Sequence, residues 1–141
     1  MKHRMIMIEW MGMIGLLLWG VVVLLRKMDI FDTSSLNAIS LIIWTTPNFG
    51  GAWFSTAWLK QFVAPAFSTK SLIKISFTKK NYFSICLLVF TIAIILEILN
   101  PYLLGGTSGF DIYDIIATAI AELLIFILPV LFAPDLFKSN R

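Results

Sequence analysis

The chain has few charged side chains and almost none of the residues on which enzymes and metal sites most often depend. Of its 141 residues, 13% are charged, one is a cysteine (Cys86) and one is a histidine (His3). A lone cysteine cannot form an internal disulfide or a thiolate cluster, and a lone histidine cannot build a multi-histidine zinc site. No candidate nucleophile stands beside a candidate base, so we predict no catalytic residue and no cofactor, and an enzyme is the last of the functions that we consider.

Hydrophobic residues make up 59% of the chain, far more than in a soluble globular protein. A bilayer core about 30 Å thick accepts a helix of roughly 20 apolar residues, so the length allows four crossings with short connections. We therefore expect one all-α membrane domain over residues 1–141, a bundle of four transmembrane helices surrounded by membrane lipids. The net charge of +3 comes from basic clusters beside apolar runs, which argues against nucleic-acid binding.

Four apolar stretches are the expected spans, at residues 6–25, 49–67, 82–100 and 113–133. The second is the least regular, because Lys60 interrupts it and the apolar residues 36–44 before it are too few to cross a bilayer. We interpret residues 36–44 as an interfacial or re-entrant segment. The alternative is a crossing over residues 36–54, which would place Pro47 and Gly50 in the middle of the membrane.

The distribution of basic residues predicts the orientation of the chain. Residues 68–81 contain four lysines and no acidic residue, and the chain also has basic residues at both ends. Since cytoplasmic loops of membrane proteins are rich in lysine and arginine, both termini and this loop are expected in the cytoplasm. Arg26 and Lys27, in the first outer loop, are the exceptions.

Three acidic residues should then converge on the outward side. Glu97 ends the third span, and Asp111 and Asp114 begin the fourth, three residues apart on one helix face. Together they are a candidate site for a divalent cation such as calcium or magnesium, or for a cationic group. A simpler interpretation makes Asp111 a helix cap. Whether a metal binds is left open by the sequence.

A polar stripe continues from this site into the membrane. Helical geometry places Asp114, Thr118 and Glu122 within roughly one sixth of a turn of Asp111, and ionisable groups within a span usually face the bundle interior. Lys60 and Glu122 should lie at depths that agree within about 3 Å. We therefore predict that Lys60 and Glu122 form an intramembrane pair. In the alternative, the Lys60 side chain extends towards the interface and Glu122 remains protonated.

Small residues at helical spacing predict close contacts between helices. They form one series in the first span and one in the fourth: Gly12, Gly15 and Gly20, and Ala117 and Ala121.

Two segments of the C-terminal part show a recognisable pattern. Residues 97–100 read Glu-Ile-Leu-Asn, and residues 110–118 read Phe-Asp-Ile-Tyr-Asp-Ile-Ile-Ala-Thr. They resemble the VanZ-like membrane protein family, whose members carry a Glu-Leu-x-Gln element, a short loop and an Asp-x-x-Asp element followed by Ala-Asn and a glycine. Four residues match: Glu97, Asp111, Asp114 and Ala117. Three depart from the pattern: Asn100 replaces the glutamine, Thr118 the asparagine and Ala121 the glycine.

The resemblance implies a multi-pass protein of the bacterial cytoplasmic (inner) membrane and suggests a link to tolerance of glycopeptide antibiotics that act on the cell wall. It implies no reaction. One alternative is an accessory subunit of a larger membrane protein complex, which fits the small size and the five tryptophans. Another is a dimeric transporter similar to the small multidrug resistance family, in which Glu9 would couple transport to ion movement.

Overall fold

The computed structural model describes residues 7–28, 38–65, 72–73, 76–103 and 111–137, and these residues form a helical bundle. Its elements are α1 (Met7–Lys27), α2 (Ala38–Val63), α3 (Lys79–Leu103) and α4 (Ile112–Phe132), followed by a short 3-10 helix over Pro134–Phe137. The predicted all-α bundle is confirmed. Three of the helices are long and apolar enough to cross a membrane: Met7–Lys27, Lys79–Asn100 and Ile112–Phe132.

Contacts along the helices show that consecutive helices are antiparallel. Helix α2 contacts the other three. The bundle therefore has two ends, which we name by one residue each. The Arg26 end holds the last turns of α1 and α3 and the first turns of α2 and α4, whereas the Lys79 end holds their opposite ends.

Helix α2 differs from its prediction. It begins at Ala38 rather than near residue 49, and Pro47 lies inside it. Proline has no N–H to donate to the carbonyl four residues earlier, which here is Ile43. The Arg26 side chain takes over this role, since its Nε and Nη2 donate to the Ile43 carbonyl at 3.1 and 2.6 Å, and Nη2 also donates to the Trp44 carbonyl at 2.6 Å. A cation from α1 thus allows α2 to continue through its proline.

The same arrangement occurs at Pro129 of α4. Pro129 leaves the carbonyl of Ile125 without a helical donor, and the Tyr82 hydroxyl donates to that carbonyl at 2.6 Å. Tyr82 and Ile125 are both fully buried. The hydrogen bond therefore joins α3 to α4 inside the bundle.

The tightest helix contact is between α1 and α2. A Cβ atom built on Gly15 would lie 2.5 Å from the Gly50 carbonyl oxygen and 2.8 Å from Cβ of Trp53, and one on Gly12 would overlap Cβ of Ala57. The predicted packing role of Gly12 and Gly15 is confirmed. Gly20 takes no part in this contact, because a Cβ built there meets no described atom within 4 Å.

An aromatic cluster closes the Lys79 end. The Phe137 ring, carried by the 3-10 helix, lies 5.3 Å from the Phe77 ring and 5.5 Å from the Tyr82 ring between centroids. These rings pack on Ile8 and Ile125, which are fully buried. The segment after α4 thus folds back over this end of the bundle.

Candidate functional site

A cavity of about 430 Å³ lies between α2, α3 and α4 near the Arg26 end, and we call it the acidic cavity. Most of its wall is apolar and includes three aromatic side chains. Its polar lining consists of Asn48, Ser55, Glu97, Asp114 and Thr118. The cavity therefore combines two carboxyl groups at one end with an apolar interior.

Asp114 is positioned by the first turn of α4, where the helix dipole and backbone N–H groups favour a negative charge. Its carboxyl group faces Asn48 of α2. The Oδ1 atom is buried, yet it has no hydrogen-bond partner among the described residues. Since nearly all buried polar atoms in native proteins are hydrogen-bonded, this oxygen marks the point where a donor from a ligand would fit.

The other two predicted acidic residues hold the adjoining helix ends together. Glu97 Oε1 accepts a hydrogen bond from the backbone N–H of Asp111 at 3.1 Å, so the last turns of α3 meet the start of α4. Asp111 Oδ1 accepts from the backbone N–H of Tyr113 at 2.9 Å, which makes Asp111 the N-cap of α4. Glu97 and Asp114 line the cavity together, while the Asp111 side chain caps the helix.

The arrangement does not favour a metal ion. Within residues 7–28, 38–65, 72–73, 76–103 and 111–137, no group of three or more histidine, cysteine, aspartate or glutamate side chains could hold one. Two carboxyl groups beside an apolar cavity suit an organic cation, whose charged group would contact the carboxyl groups and whose apolar part would contact the wall.

Thr118 lies one turn below Asp114, as the predicted stripe requires. It is buried, lines the acidic cavity, and its hydroxyl donates to the Asp114 backbone carbonyl at 2.9 Å. Its hydroxyl oxygen keeps acceptor capacity towards the cavity.

Lys60 does not pair with Glu122, contrary to the prediction. Its ammonium group forms a salt bridge with Glu9 of α1, and the side chains of both residues are almost completely buried. Gln61 also donates to Glu9 Oε1 at 3.0 Å. The close packing of α1 on α2 brings Glu9 to the last turn of α2, so the partner comes from a helix that the prediction did not consider.

Glu122 is instead held by a hydroxyl group. Thr56 Oγ1 donates to the carboxyl group, at 2.9 Å from Oε1 and 2.8 Å from Oε2. The Cys86 thiol lies beside the same carboxyl group. Next to it, the Trp53 ring N–H donates to the carbonyl of the fully buried Ala121 at 2.8 Å, as expected for a packing contact of α4.

Sequence reasoning missed Thr56, Tyr82 and the polar role of Cys86. The role of Tyr82 had a detectable signal in the sequence. Pro129 follows Ile125 by four residues, so the Ile125 carbonyl has no backbone donor and requires a side-chain donor. Thr56 had no such signal, because the hydroxyl group of a threonine in an apolar helix usually donates to a backbone carbonyl of the same helix.

No family model, curated protein or solved structure matches this chain. The similarity of residues 97–118 to the VanZ-like pattern therefore stays a prediction, and the candidate site is supported by its own geometry.

Proposed function

We propose that this chain is a small multi-pass protein of the bacterial cytoplasmic membrane that binds the cationic group of an amphipathic molecule in the acidic cavity. The observation that carries the proposal is the buried Oδ1 atom of Asp114, which has no partner among the described residues and lies in a cavity that Glu97 also lines. A protonated amine would supply the missing donor and a compensating charge.

The cavity indicates the kind of molecule. Its volume of about 430 Å³ falls within the range of small-molecule sites. The carboxyl groups lie near the Arg26 end, and Trp58 and Leu59 continue the wall towards the interior. Arg26 itself is held by backbone carbonyls of α2. A ligand with one amine and an apolar body the size of a phenylalkyl group matches this arrangement.

The orientation belongs to the same proposal. Helix α2 has 26 residues and is therefore about 39 Å long, enough for a fourth crossing. The lysines of residues 68–81 favour a cytoplasmic Lys79 end, with both termini inside. The acidic cavity would then open towards the outer surface.

We also propose that the chain is a member of the VanZ-like family. The contact between the Glu97 side chain and the Asp111 backbone gives a physical reason for the pattern, because it joins the helix ends on either side of the short loop. A role in tolerance of glycopeptide antibiotics is a consequence of that proposal.

Equilibrium dialysis of the protein in lipid nanodiscs against 4-phenylbutylamine tests the binding function. Asp114→Asn should weaken binding at least about tenfold, because it removes a charge-assisted hydrogen bond. Glu97→Gln should weaken it less. Asp111→Asn is the matched control, since asparagine caps a helix as well as aspartate does.

The neutral analogue 4-phenylbutanol should bind more weakly than the amine. Equal affinity of the wild-type protein and Asp114→Asn for the amine would contradict the proposal. So would equal affinity of the wild-type protein for the amine and the alcohol.

An accessory subunit is the second candidate, and the exposure of α3 favours it. Only 17% of an apolar stretch of 18 residues in this helix is buried inside the bundle. The corresponding share is 28% in α1 and in α4. Another membrane protein could cover such a face. Purification in mild detergent tests this: a stoichiometric complex supports a subunit role, and a monodisperse single chain contradicts it. The transporter alternative is disfavoured, because Glu9 is already paired with Lys60.

A further inference from the structure

Polar side chains are stacked in layers inside the bundle, and we call this series the polar column. Its layers are Asn48 with Asp114, then Thr118, then Thr56 with Glu122, and last Lys60 with Glu9. Within the described ranges, every buried polar or charged residue except Ser40 belongs to it. Helices that are otherwise apolar thus bring their buried polar groups together.

Neighbouring layers are separated by one helical turn. Asn48 faces Asp114, and Thr56 donates to Glu122 eight residues further along both helices. Helices α2 and α4 therefore stay in register, and successive layers are about 6 Å apart. From Asn48 to Lys60 the column extends over about 18 Å of α2, which is more than half of a bilayer core about 30 Å thick.

The two ends of the column are less enclosed than its middle. At the Arg26 end, the acidic cavity of about 430 Å³ reaches Thr118, and it is large and polar enough to hold several water molecules. At the Lys79 end, the half-buried Gln61 donates to Glu9 Oε1 at 3.0 Å. The part of the column between Thr118 and Lys60 therefore separates the two sides of the bundle.

Glu122 lies in this middle part, beside two hydroxyl groups. Within the described residues, the one buried cation is Lys60, which is bound to Glu9, so no buried charge compensates an ionised Glu122. Thr56 Oγ1 lies 2.9 and 2.8 Å from the two carboxyl oxygens. Tyr82 interacts electrostatically with both Glu122 and Glu9. A hydroxyl group can donate and accept at the same time, so it can pass on a proton.

We infer that the polar column conducts protons across the membrane, with Glu122 as the carrier in its buried middle. Ionisable side chains arranged in series inside a membrane protein are typical of proton relays. Water molecules and side-chain rotation bridge the steps of about 6 Å between layers. The inference does not depend on the amine-binding function, since water in the acidic cavity is sufficient to supply the proton.

One transfer returns every group to its starting state. Water in the acidic cavity gives a proton to the Glu122 carboxylate, and Lys60 gives its own proton to Glu9. The resulting Lys60 amine takes the proton of Glu122 through the Thr56 hydroxyl group. Glu9 then releases its proton to water at the Lys79 end. One proton has entered and one has left, and the membrane potential drives the movement.

Proton flux into liposomes tests the inference. The chain is reconstituted with pyranine enclosed, and valinomycin with an outward potassium gradient sets a negative potential inside. We expect faster acidification than in protein-free liposomes. Glu122→Gln should lower this protein-dependent flux at least about tenfold, because its amide still accepts from Thr56 but carries no proton. Glu122→Asp keeps a carboxyl group and should therefore keep more of the flux than Glu122→Gln.

Two threonines offer a matched comparison. Thr56→Val removes the hydroxyl group beside Glu122 and should also reduce the flux. Thr91→Val makes the same change on the exposed surface of α3, where the hydroxyl donates to the Leu87 carbonyl of its own helix, and should leave the flux unchanged. Circular dichroism shows whether each variant is folded. Should Thr56→Val unfold, the comparison of Glu122→Gln with Glu122→Asp decides.

Four results would overturn the inference: no flux above that of protein-free liposomes, wild-type flux in Glu122→Gln, equal flux in folded Thr56→Val and Thr91→Val, or sodium entry as fast as proton entry. Sodium entry, measured with an enclosed sodium-sensitive dye, would indicate a water-filled pore. The flux assay contains no amine, so its failure does not affect the binding of 4-phenylbutylamine in the acidic cavity. The two proposals therefore fail separately.

Discussion

Glu9 and Lys60 form a buried salt bridge between the first turn of α1 and the last turn of α2. Both side chains lie inside the bundle, where water cannot compensate a charge that has lost its partner. The pair is also flanked by the Phe77 ring, whose centroid lies 5.7 Å from the Lys60 ammonium nitrogen.

Removal of one partner should destabilise the protein strongly. Lys60→Met leaves the Glu9 carboxylate buried beside an apolar side chain, and we expect a loss of about 3 kcal/mol in the free energy of unfolding. The Glu9→Gln/Lys60→Met double variant should recover most of it. The measurement is unfolding in mixed micelles followed by circular dichroism. The Lys60→Met/Glu122→Gln double variant is the control and should show no recovery, whereas recovery there would mean that Glu122 is the true partner.

The sequence could predict that Lys60 is buried and paired, but not with which residue. The predicted depth of Lys60 depends on a helix start near residue 49, whereas α2 begins at Ala38. The choice of Glu9 depends on how closely α1 approaches α2, and Gly12, Gly15 and Gly50 determine that distance. The distance between two helices depends on the residues of both contact surfaces. The depth of one residue along its own helix therefore cannot predict this distance.

The contact between α1 and α2 leads to the second prediction. Gly15→Ala places a methyl group 2.5 Å from the Gly50 carbonyl oxygen, so the helices must separate. We expect a loss of about 1–3 kcal/mol in the free energy of unfolding. Gly20→Ala is the matched control on the same helix, where alanine should be neutral or stabilising by up to ~1 kcal/mol. Equal effects of the two substitutions would show that helix propensity, and not the contact, governs both.

The third prediction concerns Tyr82 and the carbonyl of Ile125. Tyr82→Phe removes the only side-chain donor that the described residues offer this carbonyl, and the loss should be about 1 kcal/mol. Pro129→Ala supplies a backbone N–H to the same carbonyl. In the Pro129→Ala background, Tyr82→Phe should therefore cost less. Additive effects of the two substitutions in unfolding measurements would contradict the proline explanation.

The two prolines also show where sequence reasoning fails on secondary structure. A proline inside a helix removes a hydrogen bond, so the sequence favours a second span that begins after Pro47, at residue 49. The helix continues because Arg26 supplies donors to the carbonyls of Ile43 and Trp44. The sequence places Arg26 in a loop with no assigned role. Its position beside the carbonyls that precede Pro47 becomes visible only in the folded bundle.

The fourth prediction tests which side of the membrane the acidic cavity faces. Ser108 lies between α3 and α4 in the sequence, and Thr78 precedes α3 at the Lys79 end. Single cysteines at these positions, in a Cys86→Ser background, can be probed with a membrane-impermeant maleimide in intact cells and in inverted vesicles. Ser108→Cys should react in cells and Thr78→Cys in inverted vesicles, because four lysines in residues 68–81 favour the cytoplasm. The reverse pattern would turn Glu97 and Asp114 towards the cytoplasm. The amine-binding assay would still be valid then, but its ligand would have to be a cytoplasmic molecule.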